Sequence, residues 1–151
     1  MIYRARSAAE TSGVGAKVAA MLQAPAVVML IGDLGAGKTT LAKGIVQALG
    51  VAPPEEVLSP TFSLVHEYEG PPKVYHLDLY RLDTLPELET LGLEDIWEER
   101  AVVLIEWGER FSSELPGERI EVRLDYDGDD GRVIEVRAAA SPGQPRLSES
   151  I

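Results

Sequence analysis

The 151-residue chain contains no cysteine and no asparagine, only two histidines, two tryptophans and two phenylalanines, and no apolar run approaching bilayer length. Without thiols there is neither a disulfide framework nor a thiolate metal site. Without a run of about 20 apolar residues no transmembrane helix is expected. The stretch Met1-Ile-Tyr-Arg-Ala-Arg lacks the apolar core of a secretory signal, so a cytoplasmic location is the expectation. Positive charge is scarce as well: 14 Lys and Arg stand against 25 Asp and Glu, for a formal net charge of −11 and a pI near 4.6. Such a surface opposes the phosphate backbone and anionic lipid, which argues against direct, non-specific binding of nucleic acid or of an anionic membrane. The length suits a single domain with a substantial core. Residues 1–138 are read as that domain, and 139–151, rich in Ser, Pro, Gly and Gln without an apolar period, as a flexible tail.

What the chain does have is one complete motif. Residues Gly32-Asp-Leu-Gly-Ala-Gly-Lys-Thr39 match the phosphate-binding loop pattern G-x-x-x-x-G-K-[ST]. Glycines let backbone N–H groups surround phosphate oxygens where a Cβ would block the approach. Lys38 would then reach the β- and γ-phosphates and the Thr39 hydroxyl would bind Mg²⁺. The flanks agree with the motif. Ala26-Val-Val-Met-Leu-Ile31 reads as a strand buried on both faces of a parallel sheet. Thr39 to Leu49 carries Leu41, Ile45, Val46 and Leu49 at helical spacing before Gly50.

Helices and strands alternate along the rest of the chain. Ser7 and Glu10 have capping-box spacing at the start of a helical stretch holding Val14, Val18, Met21 and Leu22. Alternation through Leu64, His66 and Tyr68, a Gly70-Pro-Pro turn and a second strand over Lys73 to Arg81 suggest a hairpin, with Val74, His76 and Asp78 on one face. Thr84 and Glu87 form another capping box before a short helix that Gly92 would end, and Leu93 to Arg100 has room for another helical turn or two. Ala101-Val-Val-Leu-Ile-Glu106 is a second wholly apolar strand, ending on a carboxylate. Ile120 to Tyr126 and Ile134 to Val136 alternate around Asp127-Gly-Asp-Asp-Gly131 as a hairpin with one wet face. The fold class is α/β: a P-loop NTPase-like sheet with parallel core strands flanked by helices, plus antiparallel hairpins.

Few residues could complete a phosphate site. Glu106 terminates an apolar strand as the magnesium-binding acid of P-loop proteins does, with a solvated strand end as its plain alternative. Asp78 sits on a largely apolar strand, where it serves either the reaction or an ion pair with Arg81. Thr61, in Ser59-Pro-Thr-Phe62, falls where many P-loop proteins sense the γ-phosphate, or in a plain turn. His66 and His76 have no paired ligand spacing. Asp125, Asp127 and Asp129 begin like a calcium loop, but Asp130 replaces the required glycine and Val136 the bidentate glutamate.

Taken in order, Gly32 to Thr40, Ser59-Pro-Thr-Phe62, His76-Leu-Asp-Leu-Tyr-Arg-Leu82 and Ile105-Glu-Trp-Gly-Glu109 closely resemble the TsaE family of bacterial ATPases, over roughly residues 5 to 137. The resemblance implies a role in the threonylcarbamoyladenosine (t6A) modification of tRNA, exerted through the partner proteins TsaB and TsaD, with ATP and Mg²⁺ as cofactors. It implies a Mg-dependent ATPase, weak without its partners and monomeric when free. Carried over by residue, it assigns the nucleotide to Asp33, Leu34, Gly35, Ala36, Gly37, Lys38, Thr39 and Thr40, and the metal to Thr39 and Glu106. Asp78 becomes essential for hydrolysis, Thr61 falls in a switch-like segment, and Trp107 lies near the site. Thr11 and Arg132 match positions that contact nucleotide in relatives. Gly108 departs from the pattern, since many relatives carry proline there.

Two other classes compete. A small-molecule P-loop kinase ordinarily needs an arginine-bearing lid and an acceptor pocket, and no Arg-rich lid is visible. A GTP switch recognises guanine with Asn-Lys-x-Asp, which a chain without asparagine cannot supply.

Overall fold

The computed structural model describes residues 1–51 and 65–139. Strand β1 (Ile2–Ala5) is followed by helix α1 (Ala8–Ala19), strand β2 (Ala26–Ile31) and helix α2 (Lys38–Leu49). Next come strands β3 (Val65–Tyr68) and β4 (Lys73–Asp78), the short helices α3 (Leu85–Glu89) and α4 (Leu93–Trp97), and strand β5 (Ala101–Glu106). A 3₁₀ segment (Glu109–Glu114) leads into the long hairpin strands β6 (Arg119–Asp127) and β7 (Gly131–Ala139). Thr61 with Ser59–Phe62, and residues 140–151 of the tail, lie outside the described residues.

All seven strands of the described residues join one sheet in the order β1-β7-β6-β2-β5-β4-β3. Its centre is parallel, β2 pairing with both β5 and β6 and β4 with β5, whereas β3–β4, β6–β7 and β1–β7 are antiparallel. The two apolar runs occupy that centre because only a strand covered on both faces needs no polar side. On one face Val28, Leu30, Val102 and Leu104 pack against Val14 and Val18 of α1 and Leu41 and Ile45 of α2. On the other, Met29, Val103, Ile105 and Leu77 meet Leu88, Leu93, Ile96, Phe111 and Leu115 from the short helices and the 3₁₀ segment.

The capping signals act as expected at α3, where Thr84 Oγ1 accepts from Glu87 N at 3.3 Å and Glu87 Oε1 accepts from Thr84 N at 3.1 Å. At α1 the box is half formed: Ser7 Oγ accepts from Glu10 N, but Glu10 reaches back to Arg6 N at 2.7 Å. Gly92, at φ +63°, opens α4 rather than merely closing α3. β4 stops at Asp78 instead of running to Arg81, because the chain turns there, with Leu82 N bonded to Leu79 O. Strand β1 was not foreseen; four residues are too few to show a period of two. No helix among the described residues is long and apolar enough to cross a membrane.

Helices α1 and α2 approach each other through two glycines. A Cβ on Gly44 would lie 2.1 Å from Ser12 O, and one on Gly15 would lie 2.6 Å from Leu41 O. Backbone against backbone at that separation leaves no room for any side chain.

Candidate functional site

The parallel pairing brings the carboxyl ends of three strands to one edge, where α/β sheets form their crevices. Leu30, near the end of β2, stands opposite Glu106 in β5, and Glu106 stands opposite Asp78 in β4. From β2 the chain passes through the glycine loop directly into α2. Gly35 and Gly37 adopt φ +82° and +105°, values a side chain would strain. A Cβ on Gly32 would meet Leu124 O at 2.7 Å.

A cavity of about 320 Å³ opens over this loop, lined by Leu34, Gly35, Gly37, Lys38, Thr39, Thr40, Asp78, Tyr80, Glu106 and Trp107. Residues from the loop, the β4 end and the β5 end thus share one wall. Lys38 is 4 % exposed, its Nζ donating to Gly32 O at 2.6 Å and lying 3.1 Å from the centre of the Trp107 ring. Burial pushes the Lys38 ammonium below its ordinary value of 10.5, while Glu106, Glu109, Asp78 and Asp33 pull the other way. A buried cation held by a carbonyl and an aromatic face gains strongly from an incoming anion.

Glu106 is 3 % exposed, and the Thr39 hydroxyl donates toward its two oxygens at 3.3 Å each. A hydroxyl beside a carboxylate is a hard-oxygen pair suited to Mg²⁺, which usually takes one or two protein oxygens and shares the rest with phosphate and water. No group of three or more His, Cys, Asp or Glu that could hold a metal ion is found among the described residues. Asp78 is buried beside them, its Oδ1 accepting from Tyr80 N at 2.9 Å, while Arg81 is exposed.

The remaining expected residues brace the loop rather than line the cavity. Thr11, on α1, is buried, and its Cγ2 is 3.6 Å from where a Gly37 Cβ would stand. Arg132 donates to Ala36 O at 3.0 Å and to Gly35 O at 3.4 Å, with its guanidinium 4.4 Å from the centre of the Tyr126 ring. Asp33 contributes its carbonyl, which accepts from Ala36 N at 3.0 Å. Thr61 lies outside the described residues.

Three residues that carried no assigned role in the sequence belong to the site. Tyr80 lines the cavity with its ring centroid 5.0 Å from that of Trp107. Tyr126 donates its hydroxyl to Leu34 O at 3.1 Å. His76 lies behind Glu106, Nε2 to Oε2 at 2.6 Å. Its parity with Asp78 was legible; the register of β4 against β5 that sets it beside Glu106 was not. Trp107 has φ +61°, the one positive value on a non-glycine residue among the described residues, and such strain concentrates at binding sites. Gly108 is buried, and a Cβ there would meet Ile105 at 2.9 Å and Leu115 at 3.0 Å, so neighbouring side chains fill the space a proline ring takes.

Strand, glycine loop and helix at the head of a parallel-cored sheet define a P-loop NTPase-like α/β protein. Residues 5–134 match the family model described as "Threonylcarbamoyl adenosine biosynthesis protein TsaE". The chain is 41% identical over 131 residues to the tRNA threonylcarbamoyladenosine biosynthesis protein TsaE of Treponema pallidum, covering 87% of this chain and 96% of that one. It is 45% identical over 123 residues to the Haemophilus influenzae protein of the same name, covering 81% and 76%. The crystal structure of Bacillus subtilis YdiB superposes with a TM-score of 0.77 at 32% identity, over 93% of this chain and 86% of that one. The chain belongs to the TsaE family, whose name places it in the biosynthesis of threonylcarbamoyladenosine in tRNA.

Proposed function

We propose that this chain binds and hydrolyses Mg²⁺–ATP, and that its nucleotide state controls its association with TsaB and TsaD during t6A modification of tRNA. The observation that supports this most is the convergence of Lys38, Thr39, Asp78 and Glu106 on one cavity above the glycine loop. Lys38 faces the β- and γ-phosphates, and the loop N–H groups take the phosphate oxygens. Thr39 and Glu106 hold the magnesium, which when bound neutralises charge developing on the phosphates. Asp78 orients the attacking water. Trp107 and Tyr80 wall the site against solvent.

Lys38→Ala is expected to weaken ATP binding by about tenfold or more, the worth of a charge-assisted contact, in calorimetry with Mg²⁺ present. Unchanged affinity in a folded variant would remove the loop from the site. The same experiment on the parent has a pH signature. Because burial depresses the free lysine, affinity should fall on the alkaline side beginning below 10.5, as the cation is lost. The sign for stability is opposite. Over that window the unfolded chain binds the extra proton, so the Lys38 contribution to stability rises with pH while affinity drops.

Partnership is the second expectation. With a net charge of −11 the chain should not bind bare tRNA tightly at physiological salt. It should associate with TsaB–TsaD in one nucleotide state and weaken in the other, since a γ-phosphate shifts a protein only through differential contacts. Gel filtration with ATP, ADP or neither checks this. Tight tRNA binding with indifference to the partner proteins in every state would overturn it.

A further inference from the structure

Behind Glu106 the cavity wall holds a fully buried histidine. His76 is 0 % exposed, its Nε2 lies 2.6 Å from Glu106 Oε2, and its Nδ1 has no hydrogen-bond partner among the described residues. The β4–β5 register sets His76 opposite Leu104 and Asp78 opposite Glu106, so His76 and Asp78 share a face and flank the same carboxylate. An ionised carboxylate only accepts, and a contact of 2.6 Å therefore requires the imidazole proton on Nε2. The ring thus aims a donor at Glu106.

Thr39 approaches both carboxylate oxygens at 3.3 Å, whereas His76 engages Oε2 alone. A carboxylate offers about four lone-pair sites, so these contacts leave acceptor capacity for a cation. Glutamate has three rotatable bonds and would otherwise sample several rotamers.

We infer that His76 is a positioning residue of the magnesium site: through Nε2–H it clamps the Glu106 carboxylate beside the Thr39 hydroxyl before nucleotide arrives. This rests on the assignment of Glu106 to the metal. Pre-set geometry raises metal affinity because the ligand need not be ordered on binding, and partners behind a ligand commonly matter tenfold or more.

Two measurements on the full chain test it. Nitrogen-15 NMR of histidine-labelled protein without nucleotide should show a protonated Nε2 for His76; an unprotonated Nε2 would overturn the clamp. Calorimetry of ATP binding across Mg²⁺ concentrations should then compare His76→Leu with His76→Gln, whose side-chain amide can supply a donor to Glu106. His76→Leu is expected to weaken the Mg²⁺-dependent part of binding about tenfold and leave the Mg²⁺-free part unchanged, while His76→Gln stays within about threefold of the parent. A merely structural histidine predicts the reverse order, since leucine suits a buried site better than an amide, and that order would overturn the inference. If the parent itself shows no Mg²⁺-dependent ATP binding, the magnesium site as a whole is wrong and this role falls with it. A parent that binds normally beside variants in the wrong order removes only the role of His76.

Discussion

Asp78→Ala is expected to bind Mg²⁺–ATP with the parent's affinity and to hydrolyse it at least about a hundredfold more slowly, the scale on which a positioned proton acceptor contributes. Asp78 is 3 % exposed and fixed at the strand end by the Tyr80 N–H bond to its Oδ1, so it meets the cavity as a pre-set acceptor rather than a mobile one. In the register it stands directly across from Glu106. Glu106→Ala should differ in kind, losing the Mg²⁺-dependent part of ATP binding, because its carboxylate pairs with the Thr39 hydroxyl at the proposed metal site. Calorimetry and phosphate release, measured on the same preparations, separate the two. Variants that both bind and turn over like the parent would reduce these carboxylates to structural groups.

A change far from the nucleotide carries the second large effect. Gly44→Val should destabilise the fold by about 3 kcal/mol or more, at the upper end of overpacking costs, because the added Cβ meets backbone that cannot swing aside. That backbone is Ser12 O, at 2.1 Å. Relief would require α1 to move off α2, and α1 carries Thr11 against the Gly37 side of the loop, so nucleotide affinity should fall as well. Gly13→Ala is the matched control. Among the described residues nothing lies within 4 Å of its Cβ, and alanine in a helix gains about 0.5–1 kcal/mol over glycine. Urea unfolding of the two variants should move the midpoint in opposite directions. A Gly44→Val protein with the parent's midpoint would mean that the helices do not pack at this separation.

The elements that were legible from the sequence share one property: their signal is contained in a short window. The β2 and β5 runs are apolar because both faces are covered, the glycine loop needs its residue types at fixed spacing, and the Thr84–Glu87 box closes within one helical turn. What escaped lacked a local period or depended on a distant partner. β1 is only four residues long, and the 3₁₀ segment has no apolar stripe to betray it. Gly15 and Gly44 look like ordinary weak spots in helices until α1 and α2 are brought together. Tyr126 braces the loop from a hairpin about 90 residues away in the chain, and only the insertion of β6 beside β2 brings it there.

By itself the sequence determined the chemistry on offer: the pattern of a phosphate-binding loop between strand and helix, a carboxylate ending one apolar strand and another within a second, and no thiol chemistry, because these follow from residue type and spacing within a few positions. The tertiary structure alone decided which of those groups meet. Parallel pairing in a particular register puts Asp78 across from Glu106 and His76 behind it, and a one-residue slip of β4 would turn Asp78 and His76 to the other face of the sheet, away from Glu106. Register is a property of the whole packed sheet, set by which side chains must be buried together, and no local window of the chain contains it.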